Sequence, residues 1–332
     1  MNILITGGAG YIGSHVAKQL LETSKHNITI LDNLSTGSLK TLDTLKSIRD
    51  FKFIQMDLKE FDTVCEVLKE NNINTIIHFA ASIVVPESVE NPLKYYMNNT
   101  VNTTNLIRCA VANGVKKFIF SSTAAVYGEP ANLPETGIDE SYETSPINPY
   151  GMSKLMSERV IQDTALANKD FKYVIFRYFN VAGASHDLTI GECHDPETHL
   201  IPLVAQTALG KRDKIMIFGD DYKTIDGTNI RDYVHVLDLA DAHIQAISYL
   251  ENNGSDIFNC GYGRGFSVKD VVETMKQATS TEFQVEIAPR RDGDPAILIS
   301  DNRKIKSKMN WTPKYEDLGV ICESAYAWEK LI

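Results

Sequence analysis

Short apolar runs alternate with amphipathic stretches through the first half of the chain. Ile3–Thr6 is apolar and ends at glycine, the pattern of a buried strand. From Tyr11 to Thr23, Ile12, Val16, Leu20 and Leu21 recur at helical intervals. Ile28–Leu31, Lys52–Met56, Thr75–Phe79, Lys117–Ser121 and Tyr173–Tyr178 read as further strands. Phe61–Glu70, Asn102–Ala112 and a stretch from about Ser153 to Ala167 read as helices. Such alternation predicts an α/β fold, a doubly wound, mostly parallel (Rossmann) sheet with crossover helices on both faces. After about residue 180 the pattern loosens. Loop chemistry fills Gly183–Thr198, then helices fit Ile201–Leu209 and Ser267–Thr279, and strands fit Lys214–Phe218 and Gln284–Ile287. The expected division is a dinucleotide-binding domain over 1–180 and a smaller α/β substrate domain over 181–332. That boundary is approximate, because segments of such chains often return to the first domain.

At 332 residues the chain is long enough for a full core, and 43% hydrophobic with 23% charged residues excludes a disordered protein. Lysine and arginine total 33 against 43 aspartates and glutamates, a net charge of −10. That field repels nucleic acid and anionic membrane, so neither is expected as a partner. No signal-peptide core precedes the first glycines, and no apolar run reaches the ~18–20 residues of a membrane span. The five cysteines, Cys65, Cys109, Cys193, Cys260 and Cys322, are scattered without a CxxC pair. Reduced thiols in a cytoplasmic protein are expected, with no disulfide framework and no structural zinc. Cys193, His194 and His199 share a loop whose spacing offers no fourth ligand, so no metal is expected there. His78 and His235 lie in apolar strand contexts and read as core or supporting groups.

Between the first strand and first helix, Gly7-Gly8-Ala9-Gly10-Tyr11-Ile12-Gly13 satisfies G-x-G-x-x-G. Glycine permits the tight turn and close approach to a pyrophosphate, and the helix N-terminus adds N–H groups and partial positive charge. Asp32 follows Gly13 by 19 residues, at the end of the second strand. A carboxylate there accepts from a ribose 2′-OH and repels a 2′-phosphate, favouring NAD over NADP. The plain alternative is a structural turn with a solvated aspartate. Asp57-Leu58, after the third strand, are placed to contact adenine. Phe79-Ala80-Ala81, after the fourth, put small residues where a cofactor could pass. Taken alone, each segment reads first as plain strand-end packing.

Tyr150-Gly151-Met152-Ser153-Lys154 places a phenol and an ammonium four residues apart, on one face of a helix. A free tyrosine, with a pKa of about 10, is too weak a base at neutral pH. Lys154 together with the cationic nicotinamide of NAD⁺ is expected to lower that value. Ser121-Ser122-Thr123 ends a strand between the glycine turn and this pair.

These residues resemble the extended short-chain dehydrogenase/reductase family, and within it the UDP-glucose 4-epimerase (UDP-galactose 4-epimerase) branch. Ordered motifs carry the resemblance over nearly the whole chain. They are GGAGYIGSH from Gly7, LDNLSTG from Leu31, NPLKYYMNN from Asn91 and FIFSSTAAVYGE from Phe118. NPYGMSK ends at Lys154, and RYFNVAGA, IFGDDY, RDYVHVLDLADAH and APRRDGDP begin at Arg177, Ile217, Arg231 and Ala288.

The resemblance implies reversible inversion at C4 of a UDP-hexose through a 4-keto intermediate, with tightly bound NAD regenerated each turnover. Tyr150 would be the base at the sugar 4-hydroxyl, Thr123 would hydrogen-bond that hydroxyl, and Lys154 would tune the phenol and hold the nicotinamide ribose. Asn98 and Phe179 would lie along the nicotinamide half. Cofactor contacts would extend to Tyr11, Ile12, Asn33, Ser35, Thr36 and Gly37. A homodimer is implied through helices near Asn98–Ala112 and Ser153–Ala167. Sugar-nucleotide dehydratases of the superfamily carry Asp-Glu after the threonine, whereas Ala124 and Ala125 here cannot transfer protons. A non-catalytic NAD sensor is the other alternative, though it has no need of a tuned phenol.

For the substrate, Arg231 and Arg291 could clamp a diphosphate with forked donors, while Arg290 could equally be an ion-pair partner. Phe218 could lie against uracil or in the core. By resemblance, Asn180 would bind sugar or phosphate, Asp294 would orient Arg231 or a ribose hydroxyl, and His199 and Leu200 would border the substrate. Thr123 replaces a serine of many members, Ile83 a lysine of some bacterial ones, and His199 an asparagine. Leu298 falls near a position held by tyrosine in members restricted to UDP-glucose and UDP-galactose. Members accepting N-acetylated sugars carry a smaller residue there, so an N-acetyl group could fit.

Overall fold

Apolar runs that are hydrophobic on consecutive residues belong in a sheet covered on both faces. The computed structural model describes residues 1–130, 133–291 and 293–332. The chain runs β1 (Asn2–Thr6), α1 (Tyr11–Thr23), β2 (Asn27–Asp32), α2 (Leu39–Ile48), β3 (Lys52–Gln55), α3 (Phe61–Glu70) and β4 (Thr75–His78). Next come α4 (Val85–Glu90), α5 (Pro92–Tyr95), a π-helical turn (Tyr96–Val101), α6 (Asn102–Ala112), β5 (Lys117–Ser121), α7 (Pro149–Ala167) and β6 (Lys172–Tyr178). Then follow β7 (Asn180–Ala182), α8 (Leu200–Ala208), β8 (Lys214–Phe218), β9 (Ile230–His235), α9 (Val236–Asn252) and β10 (Asp256–Cys260). The chain ends with β11 (Gly265–Ser267), α10 (Val268–Thr279), β12 (Gln284–Ala288), β13 (Ile297–Leu298), α11 (Arg303–Met309) and α12 (Leu318–Glu329).

Seven strands form one sheet in the order β10-β6-β5-β4-β1-β2-β3. Every pair from β6 to β3 is parallel. Strand order reverses between β1 and β4, and the carboxyl ends of strands at such a reversal are where doubly wound sheets bind ligands. On one side of the sheet, Leu4, Ile76, Phe118 and Ile175 meet Val64, Leu68, Leu106, Ile107 and Ile161 of α3, α6 and α7 in a single buried cluster. Truncating one of these to alanine costs about 2–5 kcal/mol.

Two compact units result, one made of residues 1–126, 144–177 and 240–258, the other of 127–143, 178–239 and 259–332. Most of α9 and β10 thus belong with the first unit, although they follow residue 180 in the chain. In the second unit β11, β9 and β13 pair side by side, with β7 also on β9, and β8 pairs with β12. Among the described residues, no helix is long and apolar enough to cross a membrane.

Two expectations are corrected. Helix α7 starts at Pro149 rather than near Ser153, because Asn148 caps it by accepting from the Gly151 N–H and proline suits the first helical position. Cys65 on α3 and Cys109 on α6 are joined by a disulfide, with Cα atoms 4.8 Å apart. The two residues are 44 apart in sequence, and only the side-by-side packing of the two helices brings them together. Ser267 caps α10 in a reciprocal box with Asp270, which fixes the predicted start of that helix.

Candidate active site

The glycine turn sits at the end of β1, at the strand-order reversal. Gly7 has φ +72°, and a Cβ there would come within 2.7 Å of the Ala80 backbone N. A Cβ on Gly13 would lie 2.2 Å from the Gly7 carbonyl oxygen. The turn therefore holds its shape only with glycine at both positions. Gly10 caps α1 without a side chain, so the helix N-terminus, with Tyr11 and Ile12 in its first turn, faces the turn itself.

Asp32, at the end of β2, is buried and accepts from the Ala9 N–H at 3.0 Å and the Leu34 N–H at 2.8 Å. Burial raises its pKa, and those two N–H groups oppose the rise. The loop beyond it, Asn33 to Gly37, rests on the glycine turn: the Ser38 N–H donates to the Ala9 carbonyl, and a Cβ on Gly37 would strike Ala9. Ser35 is held by the Asn33 side chain, while the Thr36 side chain is exposed. Asn33 also donates to Asp57 at 3.0 Å. Burial works against the Asp57 charge, but the Lys59 N–H and Asn33 hold its pKa below the usual range. Leu58 is buried beside it, and Phe79, Ala80 and Ala81 follow β4 directly against the glycine turn. A cradle that a Cβ would fill, a helix N-terminus and a buried carboxylate at the second strand fit a dinucleotide with a free 2′-hydroxyl.

Tyr150 stands in the first turn of α7, with Lys154 one turn on and Glu158 one turn further. All three are buried. The Lys154 ammonium donates to the Ser121 carbonyl at 2.8 Å and lies 4.9 Å from the centre of the Phe120 ring. Burial pushes Lys154 down to about 7, with Glu158 opposing. Burial pushes Tyr150 up to about 12, with the hydrogen-bonded Thr123 hydroxyl opposing. Within the chain alone burial outweighs the Thr123 hydrogen bond, so the lowering expected from Lys154 and the nicotinamide cation together is not present without the cofactor. Thr123 also accepts from the Ala125 N–H, and Ala124 is buried.

Three supporting groups escaped the sequence reading. Glu158 takes a forked contact from the buried Arg177 and a hydrogen bond from Ser122. The i, i+4, i+8 spacing of Tyr150, Lys154 and Glu158 was the available signal. Asn99, in the π-helical turn, donates to Ser82 and to Ser153 of α7, and accepts from the Ser82 N–H. Beside it Asn98 donates to the Ser82 hydroxyl, and Asn99 and Thr100, both donating to Ser153, fasten the turn to the helix that carries Tyr150. Asp232 is buried on β9 and accepts from Tyr262, Gly263 and Ser300, tying three segments of the second unit together. Burial pushes it up to about 6 against those donors. His78 hydrogen-bonds Thr6 and Thr103, and burial lowers it to about 3, so it is a core group. His235 likewise binds Ser324 and the Leu237 N–H.

In the second unit Arg231 is buried on β9, 3.7 Å from Asp294. Leu298 on β13 is in parallel register with Arg231. Arg291 stacks over Phe218 at 3.7 Å from the ring centre, leaving its guanidinium edge for other partners. Arg290 instead pairs with Asp221 at 2.6 Å and stacks on Tyr222. Asn180 begins β7, paired with Tyr233 of β9, and the Phe179 N–H donates to Cys260. His199 stands at the N-cap position of α8, just before Leu200, without a side-chain capping hydrogen bond. Burial disfavours the His199 imidazolium, but the carboxylates of Glu192 and Glu197 push it up to about 10. The spacing in this loop offered no fourth ligand beside Cys193, His194 and His199; the fold gathers Glu192, His194, Glu197 and His199, with one donor atom of each within 4.8 Å of the others. The glutamates were overlooked, and Cys193 is not in the set.

Residues 3–261 match the NAD dependent epimerase/dehydratase family. A UDP-glucose 4-epimerase of Halalkalibacterium halodurans is 46% identical over 331 residues, covering 99% of this chain and 96% of that one. The solved UDP-Glc/GlcNAc 4-epimerase of Campylobacter jejuni is 55% identical with a TM-score of 0.87, over 100% of this chain and 99% of that one. A UDP-glucose 4-epimerase from Bifidobacterium longum, solved with NAD⁺ and UDP, is 35% identical with a TM-score of 0.94, over 100% and 98%.

Proposed function

Because the chain belongs to the NAD dependent epimerase/dehydratase family, we propose that it interconverts UDP-glucose and UDP-galactose by inverting C4 through a 4-keto sugar. It is an NAD-dependent isomerase, and its substrates extend to UDP-N-acetylglucosamine and UDP-N-acetylgalactosamine. The observation that carries this is the pairing of Tyr150 and Thr123 with Ala124 and Ala125. One phenol is available to take and return a proton at a single hydroxyl, and the two positions that would serve neighbouring carbons hold methyl groups.

Gly7, Gly10, Gly13 and Asp32 hold the pyrophosphate and adenosine ribose, and Asp57 and Leu58 border adenine. Bound NAD would supply a reversible hydride acceptor and a positive charge on its ring. Thr123 fixes the sugar 4-hydroxyl against Tyr150, which removes its proton and gives one back on completion. Lys154, anchored on Ser121 and favoured in its charged form by Glu158, would hold the ribose. Arg231, aligned by Asp294, and Arg291, braced on Phe218, hold the diphosphate. Leu298, in register with Arg231, leaves more room than a tyrosine would and admits an acetamido group.

The protein acts as a cytoplasmic homodimer. Support comes from Leu93, Met97 and Val101, apolar and exposed at four-residue intervals, with Met156 exposed on α7. Purified protein incubated with UDP-galactose and, separately, UDP-N-acetylgalactosamine, with products resolved by NMR, tests the assignment. Conversion of both is expected. Conversion of neither, with NAD supplied, overturns it and returns the dehydratase and the sensor. Unchanged turnover in Tyr150→Phe would remove the phenol from its role.

A further inference from the structure

We propose that the loop from Glu192 to His199 is a binding site for one divalent transition-metal ion, of which Zn²⁺ is the model, held by Glu192, His194, Glu197 and His199. The four donors converge within 4.8 Å. His194 Nδ1 lies 3.3 Å from Glu192 Oε1 and 3.7 Å from Glu197 Oε2, and His199 Nδ1 lies 3.4 Å from Glu197 Oε1. Ligands about 2.0–2.1 Å from a tetrahedral ion stand about 3.3–3.5 Å from one another, so these separations already approach that shell. One pair, His199 Nδ1 and Glu192 Oε1, is closer at 2.6 Å and must open by several tenths of an ångström.

A second observation points to a missing ligand. The Glu192 side chain is 5% exposed, yet its Oε2 has no hydrogen-bond partner, and neither does His199 Nδ1 despite its nearness to the carboxylate. A buried carboxylate oxygen left unmatched is costly, and a cation among the four donors would match it. The site is also preformed. The Glu192 carbonyl accepts from Trp328 Nε1 at 2.6 Å, and a Cβ on Gly191 would strike the Trp328 ring. Glu197 is set by the N–H groups of Thr198 and His199.

The donor set selects the ion. Two imidazoles with two carboxylates suit Zn²⁺ and its neighbours, whereas Ca²⁺ and Mg²⁺ demand six or more oxygens. Two carboxylates balance a charge of +2. With four protein ligands the site is structural rather than catalytic. Its effect is to fasten the loop that leads into α8, and with it the segment carrying His199 and Leu200.

The test is titration of chelator-treated, full-length protein with Co²⁺ followed by visible absorption, and with Zn²⁺ by calorimetry, at mildly alkaline pH. One equivalent should bind, with the visible bands of a four-coordinate site and a raised melting temperature. His194→Gln and Glu197→Gln, checked for native circular dichroism, should each weaken binding by more than the 10–100-fold that loss of a supporting partner costs. Cys193→Ser should leave it unchanged. No binding to the native protein, binding unaltered in both variants, or a thiolate-to-cobalt band lost in Cys193→Ser would each overturn the site, the first leaving plain histidine–glutamate ion pairs.

Discussion

The Lys154 ammonium donates across 2.8 Å to the carbonyl of Ser121, the last residue of β5. A charge is thereby pinned to the end of a buried strand, one helical turn from Tyr150. Its retention works against desolvation, with only Glu158 among charged neighbours in its favour. The position is costly for folding and useful for chemistry.

That cost has a sign. An unfolded lysine holds its proton up to about 10.5, whereas folded Lys154 releases it near about 7. Between those values the unfolded chain binds more protons, so this group makes stability rise with pH. The cost is fully present below pH 7. Lys154→Met should therefore be more stable than the native chain near pH 6, with the gap closing as pH climbs from 7 toward 10. Urea unfolding of both proteins across that range reads the difference, and a gap independent of pH would contradict it.

Gly13→Ala should abolish tight NAD binding. The added methyl meets the Gly7 carbonyl oxygen at 2.2 Å, and that atom is backbone inside the turn. Relief requires the turn to shift, at about 1–3 kcal/mol in stability, and the dinucleotide cradle shifts with it. Calorimetric titration with NAD, beside thermal unfolding, measures both effects.

Leu298→Tyr should split the substrates. Its register puts the larger ring beside Arg231, the residue proposed to hold the diphosphate. Turnover of UDP-N-acetylgalactosamine should fall about 10–200-fold, the range set by small changes in pocket volume, while UDP-galactose turnover holds. Equal losses on both sugars would show that residue 298 does not face the acetamido group.

The Cys65–Cys109 disulfide ties α3 to α6 across 44 residues. Cys65→Ser should lose about 2–4 kcal/mol of unfolding free energy without reductant. The gap should vanish once the native protein is reduced. Denaturant melts with and without dithiothreitol provide the comparison.

Local signals were legible where a side chain's role depends on near neighbours in sequence. The glycine turn, Asp32 and the Tyr150–Lys154 spacing all lie within single turns or one strand–helix–strand unit. Glu158 was missed because its partners Arg177 and Ser122 come from two other segments. The grouping of Glu192, His194, Glu197 and His199 was missed for a related reason. A search for Cys and His spacing passes over the glutamates, which only the curl of the loop turns inward. Strands β9 and β10 and helix α9 were not among the elements expected beyond residue 180. The disulfide depends on helix packing, which no spacing reveals.

The placement of β10 also has a consequence for synthesis. Six strands of the sheet are complete by Tyr178, yet the strand that flanks β6 begins at Asp256. A ribosome adding ~5–20 residues per second needs on the order of 4–16 s to make the intervening ~80 residues. Throughout that interval β6 is a bare edge, open to pairing with another nascent chain. Closure of this side of the sheet therefore waits for the last quarter of the chain.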